Sequence, residues 1–172
     1  MNNWNLYFSS RYKPIYSQWS YHDIEKYEKW YFSWIRYLEY TYNFDFKNKK
    51  ILEIGSGPGA VCAILLKKGA KITGSDISTE MLVHLKKNIS KTKFLYLDIQ
   101  KRIIHKTTYS YVIAFEVLEH LTNLQFSIKN IYSITEKGGY FIGSTPYPYS
   151  SNFNDPTHVN VKYPLEWNEL FR

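Results

Sequence analysis

The chain has 172 residues, of which 44% are apolar, so it is long enough for one domain with a sizeable core and is not disordered in composition. Its single cysteine, Cys62, excludes an intramolecular disulfide and a cysteine zinc cluster. The absence of a long apolar run or a signal-like start favours a cytoplasmic protein without a membrane span. The net charge of +7 allows a nucleic-acid partner, but the scattered lysine pairs favour a solvated surface.

An amphipathic helix is predicted over residues 21–42, because apolar side chains recur there at spacings of three and four. The repeating positions are Ile24, Tyr27, Tyr31, Trp34, Ile35 and Leu38. We expect residues 1–45 to form an N-terminal segment that ends with this helix and acts as a lid or cap. Ordinary packing of its aromatic side chains over a sheet edge is the alternative. Residues 46–172 are expected to form the main domain.

From residue 50 onward, predicted strands alternate with predicted helices. The strands cover 50–54, 71–76, 93–98, 109–115 and 139–145, and the helices cover 60–68, 78–88, 122–134 and a segment from Pro164. Ser78 is the predicted N-cap of the second of these helices, and Thr122 with Gln125 predicts a capping box on the third. Gly69 and Gly138 are expected past helix ends. The alternation predicts an α/β fold with a doubly wound, mostly parallel sheet and helices on both faces.

The segment after the first strand of this series carries the strongest signal of a binding site. Glu53 lies near the end of the strand, and Gly55, Gly57 and Gly59 follow it. Glycines permit positive φ and let a ligand approach the backbone, and ligands of open α/β sheets bind at the carboxyl ends of strands. A tight turn without a ligand needs only one such glycine, so we predict a binding loop.

A carboxylate at the end of the next strand narrows the choice of ligand. Asp76 lies 21 residues after Gly55, where a carboxylate accepts hydrogen bonds from ribose hydroxyls. NAD and S-adenosylmethionine both carry that ribose. Glu53 would disfavour a pyrophosphate, which needs neutral amides and a helix N-terminus. It would favour a ligand with an ammonium and a sulfonium group, and S-adenosylmethionine is therefore the predicted cofactor.

Residues 51 to about 165 resemble the class I S-adenosylmethionine-dependent methyltransferases. The resemblance rests on "LEIGSGPG", "GSDIS", "FLYLDI" and "AFEVLEHL", which stand in the family's order. It implies a Rossmann-like sheet and methyl transfer that yields S-adenosylhomocysteine. It also implies that Asp76 holds the ribose and Asp98 the adenine amino group. The cofactor-binding set that we predict is Glu53, Gly55, Ser56, Gly57, Gly59, Asp76, Ile77, Met81, Asp98, Ile99 and Phe115.

The predicted catalytic residues are Glu116, His120 and His158. The resemblance places Glu116 near the sulfonium and the acceptor. A hydroxyl acceptor needs a general base, for which the histidines are the candidates, although each could instead only order its loop. His158 belongs to an Asp-Pro-Thr-His segment in the long loop 145–160, and many methyltransferases of sugars and surface glycans carry an Asp-Pro-x-His segment here. No metal site is predicted, a pair of Asp155 and His158 being the weaker alternative.

The predicted acceptor is a small molecule or a sugar or glycan, methylated at oxygen. The chain lacks the Asn/Asp-Pro-Pro-aromatic segment of nucleobase amino-methylation, and Cys62 on the first helix of the main domain is misplaced for a pyrimidine nucleophile. Alternatives are a non-catalytic S-adenosylmethionine-binding module, an RNA methyltransferase and a nicotinamide-dependent oxidoreductase. Family members normally add a sixth and a seventh strand, which this sequence lacks. We therefore expect strand 139–145 either to pair with a second copy, giving a homodimer, or to meet strands of a longer natural chain.

Overall fold

The computed structural model describes residues 21–104, 107–149 and 154–172, with residues 21–26 described as backbone only. The predicted role of the N-terminal aromatic residues therefore lies outside the described residues, and the domain boundary at residue 45 stays a prediction. The chain divides into two compact units, the first ending at Leu97 and the second beginning at Asp98. Each unit is described by itself.

Within residues 21–97, the first unit contains three parallel strands and three helices. Its elements are α1 (Tyr21–Tyr42), β1 (Lys50–Ile54), α2 (Ala60–Lys67), β2 (Lys71–Asp76), α3 (Thr79–Asn88) and β3 (Lys93–Tyr96). β2 pairs with β1 on one side and with β3 on the other, both in parallel. Four of the five residues of β1 are buried, as expected for a parallel strand that is covered on both faces.

Helix α1 is confirmed, but only part of its predicted apolar stripe is buried. Ile35 is fully buried, whereas Tyr27 and Trp34 are 42% and 44% exposed. The helix packs against α2, and Lys68 pairs with Glu39 across this contact at 2.8 Å. The helix is therefore attached to the first unit through one narrow stripe and leaves aromatic side chains exposed.

In the second unit, the described residues form two parallel strands. Its elements are β4 (Tyr109–Phe115), a 3₁₀ helix (Leu118–His120), α4 (Leu124–Ile134), β5 (Thr135–Ser144) and α5 (Pro164–Leu170). β4 is buried at six of its seven positions, and Val112 lies opposite Phe141 of β5. As predicted, Pro164 is the first residue of α5.

Two predicted helix caps differ in outcome. The Ser78 hydroxyl accepts a hydrogen bond from the Met81 amide at 3.2 Å, which confirms the N-cap of α3. The N-cap of α4 is Asn123 rather than Thr122, because the Asn123 side chain accepts from the Phe126 amide. The Thr122 hydroxyl instead donates to the Gln100 side chain at 2.9 Å, so the predicted capping box is wrong.

Strands β3 and β5 also differ from their predicted bounds. β3 ends at Tyr96, two residues early. β5 begins at Thr135, directly after α4, so that Gly138 lies inside the strand at φ 79° rather than past a helix end. The pairing with β4 shifts there, because the next partners after Tyr109 and Thr135 are Tyr111 and Tyr140. The extra residues bulge out of the ladder, and a glycine with positive φ permits the bulge.

The predicted fold class is confirmed as a mostly parallel, Rossmann-like sheet of five strands that alternate with helices. Within the described part of the chain, no helix has both the length and the apolar character that a membrane span requires.

Candidate functional site

The loop between β1 and α2 has open space beside Gly57 and is packed against side chains at Gly59. Gly55, Gly57 and Gly59 all have positive φ, of 68°, 47° and 87°. A Cβ on Gly59 would lie 2.6 Å from the terminal methyl groups of Leu85 and Ile89, so those side chains would have to shift to admit it. A Cβ on Gly57 would meet no described atom within 4 Å. The open side of the loop at Gly57 is therefore the place where a ligand can approach the backbone.

Asp76, at the end of β2, fixes this loop. Its Oδ2 accepts from the Gly57 amide at 3.0 Å, and its Oδ1 accepts from the Ser78 amide at 2.8 Å. Burial raises the pKa of the Asp76 carboxyl, and the hydrogen bonds from these amides oppose that shift. Each carboxylate oxygen has a second lone pair, so both can still accept from a ribose hydroxyl. The group therefore fits the ribose role that the sequence predicts for it.

Glu53 is buried beneath the same loop. Its Oε2 accepts a hydrogen bond from the Cys62 thiol at 2.8 Å. Burial raises the pKa of Glu53 to about 8, against opposing hydrogen bonds from Cys62 and Ser56, and the charge of Asp76 adds to the rise. Near neutral pH the carboxyl is therefore mostly protonated, and little of the negative charge expected to favour a cationic ligand is present. Cys62 is buried as predicted, but it also acts as a hydrogen-bond donor.

Other predicted cofactor residues of the first unit lie in or next to its core. The Ser56 hydroxyl accepts from the Ser75 amide at 2.9 Å, and the Ser56 amide donates to the Ser75 carbonyl. Met81 is 2% exposed, and Ile77 is half-buried. Ser56 and Met81 therefore support the loop from below, and their contact with a cofactor stays a prediction.

In the second unit, the predicted adenine-binding residues are ordered by local hydrogen bonds. Asp98 Oδ1 accepts from the Gln100 amide at 3.0 Å, and Asp98 Oδ2 lies 3.3 Å from the Lys101 ammonium. The Ile99 carbonyl accepts from the side chain of Asn130 at 2.7 Å. The backbone around Asp98 and Ile99 is thus fixed before any ligand binds.

Glu116 follows β4 in a conformation that side chains rarely adopt. Its φ is 56°, and the residue is exposed. The end of β5 holds it, because the Glu116 amide donates to the Ser144 carbonyl at 3.0 Å and the Ser144 hydroxyl donates to Glu116 Oε1 at 2.7 Å. Left-handed backbone at a residue other than glycine concentrates at functional sites. This geometry supports the prediction that Glu116 belongs to the site.

The structure brings the two predicted histidines together. The rings of His120 and His158 lie 4.9 Å apart, centre to centre. The Nδ1 atom of His120 lies 3.2 Å from the Thr157 carbonyl. Because a carbonyl only accepts, Nδ1 carries a hydrogen, so in the neutral ring of His120 the lone pair is on Nε2. Asp155 orders the loop before His158 by accepting from the amide and hydroxyl of Thr157 at 2.9 and 2.6 Å.

Glu119, which the sequence does not single out, belongs to the same group. It is 1% exposed, and its Oε1 lies 3.8 Å from His120 Nε2. Among the described residues, no group hydrogen-bonds its Oε2. Burial raises the pKa of Glu119 to about 8, and the charges of Glu116 and Asp155 add to the rise. A glutamate in "LEH" has no sequence signal of burial. The chain returns to it at residues 159 and 160, whose amides both donate to the Glu119 carbonyl.

The match to known proteins agrees with this geometry. Residues 25–172 match a family model that is described as a methyltransferase domain. The chain belongs to the class I S-adenosylmethionine-dependent methyltransferases. The resemblance that the sequence motifs predict, together with the cofactor of the family, is thereby confirmed.

Individual relatives are similar over part of their length. The ubiquinone biosynthesis O-methyltransferase of Coxiella burnetii (strain Dugway 5J108-111) is 31% identical over 116 residues, which are 64% of this chain and 48% of that protein. The chain thus spans about half the length of this curated relative. An S-adenosylmethionine-dependent methyltransferase from Mesorhizobium loti superposes with a TM-score of 0.56 at 19% identity, covering 61% of this chain and 49% of that one. The methyltransferase CalH, crystallised with S-adenosylhomocysteine, has a TM-score of 0.60 at 20% identity, over 72% and 43% of the two chains.

Proposed function

We propose that this chain binds S-adenosylmethionine at the loop around Gly57 and transfers its methyl group to a hydroxyl oxygen of a small-molecule or sugar acceptor. The observation that carries the proposal is the loop itself, open at Gly57 and fixed by the Asp76 carboxylate. When bound, the cofactor supplies a methyl group that its sulfonium has already activated. The protein's own contribution is then to position the reactants and to exclude water.

The first unit supplies the groups that hold the cofactor. Gly57 permits close approach of the methionine part, and Asp76 keeps acceptor capacity for the ribose hydroxyls. Glu53 supports this loop from below, because its buried carboxyl accepts from Cys62, and its contact with the cofactor stays a prediction. In the second unit, Asp98 and Ile99 are the proposed adenine contacts.

The second unit supplies the groups that act on the acceptor. A hydroxyl must lose its proton as it is methylated, and a neutral histidine side chain is suited to accept it. His120 Nε2 presents a lone pair for this purpose, and the ring of His158 lies against it. The curated relatives that are named O-methyltransferases support oxygen as the methylated atom. The strained backbone of Glu116 fixes a further polar group in the same unit.

The proposal is tested by measuring S-adenosylhomocysteine formation by the purified chain with a panel of sugars and small phenols. His120→Ala and His158→Ala are compared with His84→Ala, a histidine on α3 outside the proposed site. We expect turnover with at least one hydroxyl acceptor. Removal of the base should lower kcat by roughly 100-fold or more, while His84→Ala keeps the wild-type rate.

Cofactor binding without turnover on any acceptor would favour the non-catalytic binding module instead. Methylation of RNA but not of the small acceptors would favour the RNA methyltransferase. The cytoplasmic location, and pairing of residues 139–145 with a second copy, stay predictions. Sedimentation of the purified chain over a range of concentrations tests the pairing.

A further inference from the structure

We propose that Glu119, His120 and His158 form a binding site for a divalent transition-metal cation of the zinc class. One ligand atom from each residue lies within 4.8 Å of the others. Zinc bonds of about 2.1 Å in a tetrahedral site place ligand atoms about 3.4 Å apart. Side-chain rotations that move the ligand atoms by about 1 Å therefore complete the site without a change of backbone.

The buried carboxyl of Glu119 points to a cation rather than to a structural role. It is 1% exposed, and its Oε2 lacks a hydrogen-bond partner among the described residues. Leaving a buried polar atom without a partner is costly, and such atoms are rare in native proteins. Glu116 and Asp155, which are both acidic, are the charged groups that act on it. A cation satisfies this oxygen and suits the negative surroundings.

His120 is held as a metal ligand usually is. Ligating histidines commonly donate their other ring N–H to a carbonyl or a carboxylate. His120 has this arrangement through Nδ1 and the Thr157 carbonyl, whereas His158 Nε2 lies 3.9 Å from Asp155 Oδ2, which is beyond hydrogen-bond distance. The segment that carries His158 is fastened to Glu119, whose carbonyl accepts from the amides of residues 159 and 160. Hydrogen bonds thus hold the His120 ring and bring the backbone segments that carry Glu119 and His158 together before any metal arrives.

The donor set selects the kind of metal. Two imidazoles and one carboxylate suit zinc and its neighbours, whereas magnesium and calcium prefer oxygen ligands and water. Three protein ligands leave a fourth position open, as in catalytic zinc sites. With an acceptor hydroxyl in that position, the cation would lower the pKa of the hydroxyl, and the proton would pass to solvent water rather than to a histidine base. That consequence rests on the proposed function, but the binding site does not.

The test is metal binding by the full chain, without any methylation assay. Protein treated with a chelator and then desalted is titrated with Zn²⁺ against a chromogenic zinc indicator, and its melting temperature is recorded with and without Zn²⁺. We expect one Zn²⁺ per chain and a rise in melting temperature. His158→Ala and Glu119→Gln should each weaken Zn²⁺ binding by roughly 100-fold, whereas His84→Ala should bind like the wild type.

Several results would overturn the proposal. These are equal Zn²⁺ affinity in wild type, His158→Ala and Glu119→Gln, no binding by the wild type, or tighter binding of Mg²⁺ than of Zn²⁺. Glu119→Gln keeps the size of the buried side chain, so circular dichroism of that variant separates loss of metal from loss of fold. Because methyl transfer is not measured, a chain without turnover can still support the metal site, and an active chain can still refute it.

Discussion

Two buried glutamates, one in each compact unit, have pKa values raised to about 8 by burial but differ in their partners. The carboxyl of Glu53 accepts from Cys62, and with Asp76 and Gly59 it belongs to what we call the loop frame. The carboxyl of Glu119 keeps one oxygen without a partner among the described residues. With His120 and His158 it forms what we call the glutamate–histidine cluster. The comparison indicates that the Glu53 carboxyl finds its partner within the protein, whereas the Glu119 carboxyl keeps acceptor capacity for the cation that we propose.

Among the predicted changes in stability, overpacking the loop frame is expected to have the largest effect on the free energy of unfolding. Gly59→Ala places a Cβ 2.6 Å from Leu85 and Ile89 at a φ of 87°, so it combines a clash with backbone strain. We expect the free energy of unfolding to fall by roughly 2–4 kcal/mol, measured by urea denaturation. Gly57→Ala is the matched control, with positive φ but no neighbour in contact, and should cost only about 1–2 kcal/mol. Equal losses in the two variants would contradict the division into a packed and an open glycine.

The same substitution at the two glutamates is expected to have opposite effects. At pH 6 and with a chelator present, Glu53→Met should lower the free energy of unfolding by roughly 1–3 kcal/mol, because Cys62 loses its acceptor. Glu119→Met should leave it unchanged or raise it by up to about 1 kcal/mol, because an oxygen without a partner is removed. Effects of the same sign at both positions would contradict the comparison.

Local sequence signals predicted the structure of the loop frame better than that of the glutamate–histidine cluster. Ser78 caps α3 as predicted, and the glycines after β1 have the positive φ that their spacing suggested. The N-cap of α4 was predicted one residue too early, at Thr122 instead of Asn123. Both residue types can cap a helix, and the contact of Thr122 with Gln100 decides between them. Such a contact between distant residues leaves no local pattern in the sequence.

The cluster depends on similar contacts between residues far apart in the chain. His120 and His158 could each be proposed from the sequence, but their ring contact requires the loop 154–160 to fold back onto the 3₁₀ helix. The burial of Glu119 follows from the same return of the chain. A charged residue beside a histidine ordinarily indicates surface, so the sequence offered no reason to expect a buried carboxyl there.

A smaller effect is expected in the pH dependence of stability. The pKa of Glu53 is about 8 in the folded chain and near the ordinary value of 4.5 when unfolded. Between these values the folded state holds a proton that the unfolded state has released. The free energy of unfolding should therefore fall as pH rises from about 5 to 8, by at most about 1.4 kcal/mol per pH unit for this group.

Glu53→Gln keeps the size of the side chain and cannot titrate. Its unfolding free energy, measured in urea from pH 5 to 8, should decline less steeply than that of the wild type. Glu136→Gln, at a carboxyl that accepts from Ser110 in the second unit, should keep the wild-type slope. A Glu53→Gln slope as steep as that of the wild type would mean that Glu53 is ionised in the folded protein and is not part of a neutral frame.

The most direct test of the proposed function is calorimetric titration of the purified chain with S-adenosylhomocysteine. The wild type should bind one equivalent, and Asp76→Ala should weaken binding by about tenfold or more, because a charge-assisted hydrogen bond to the ribose is lost. Asp45→Ala removes an exposed carboxylate that accepts from the Lys47 amide, and this variant should bind like the wild type. No binding by the wild type, or an unchanged dissociation constant in Asp76→Ala, would contradict the assignment of the loop around Gly57 and Asp76 as the cofactor site.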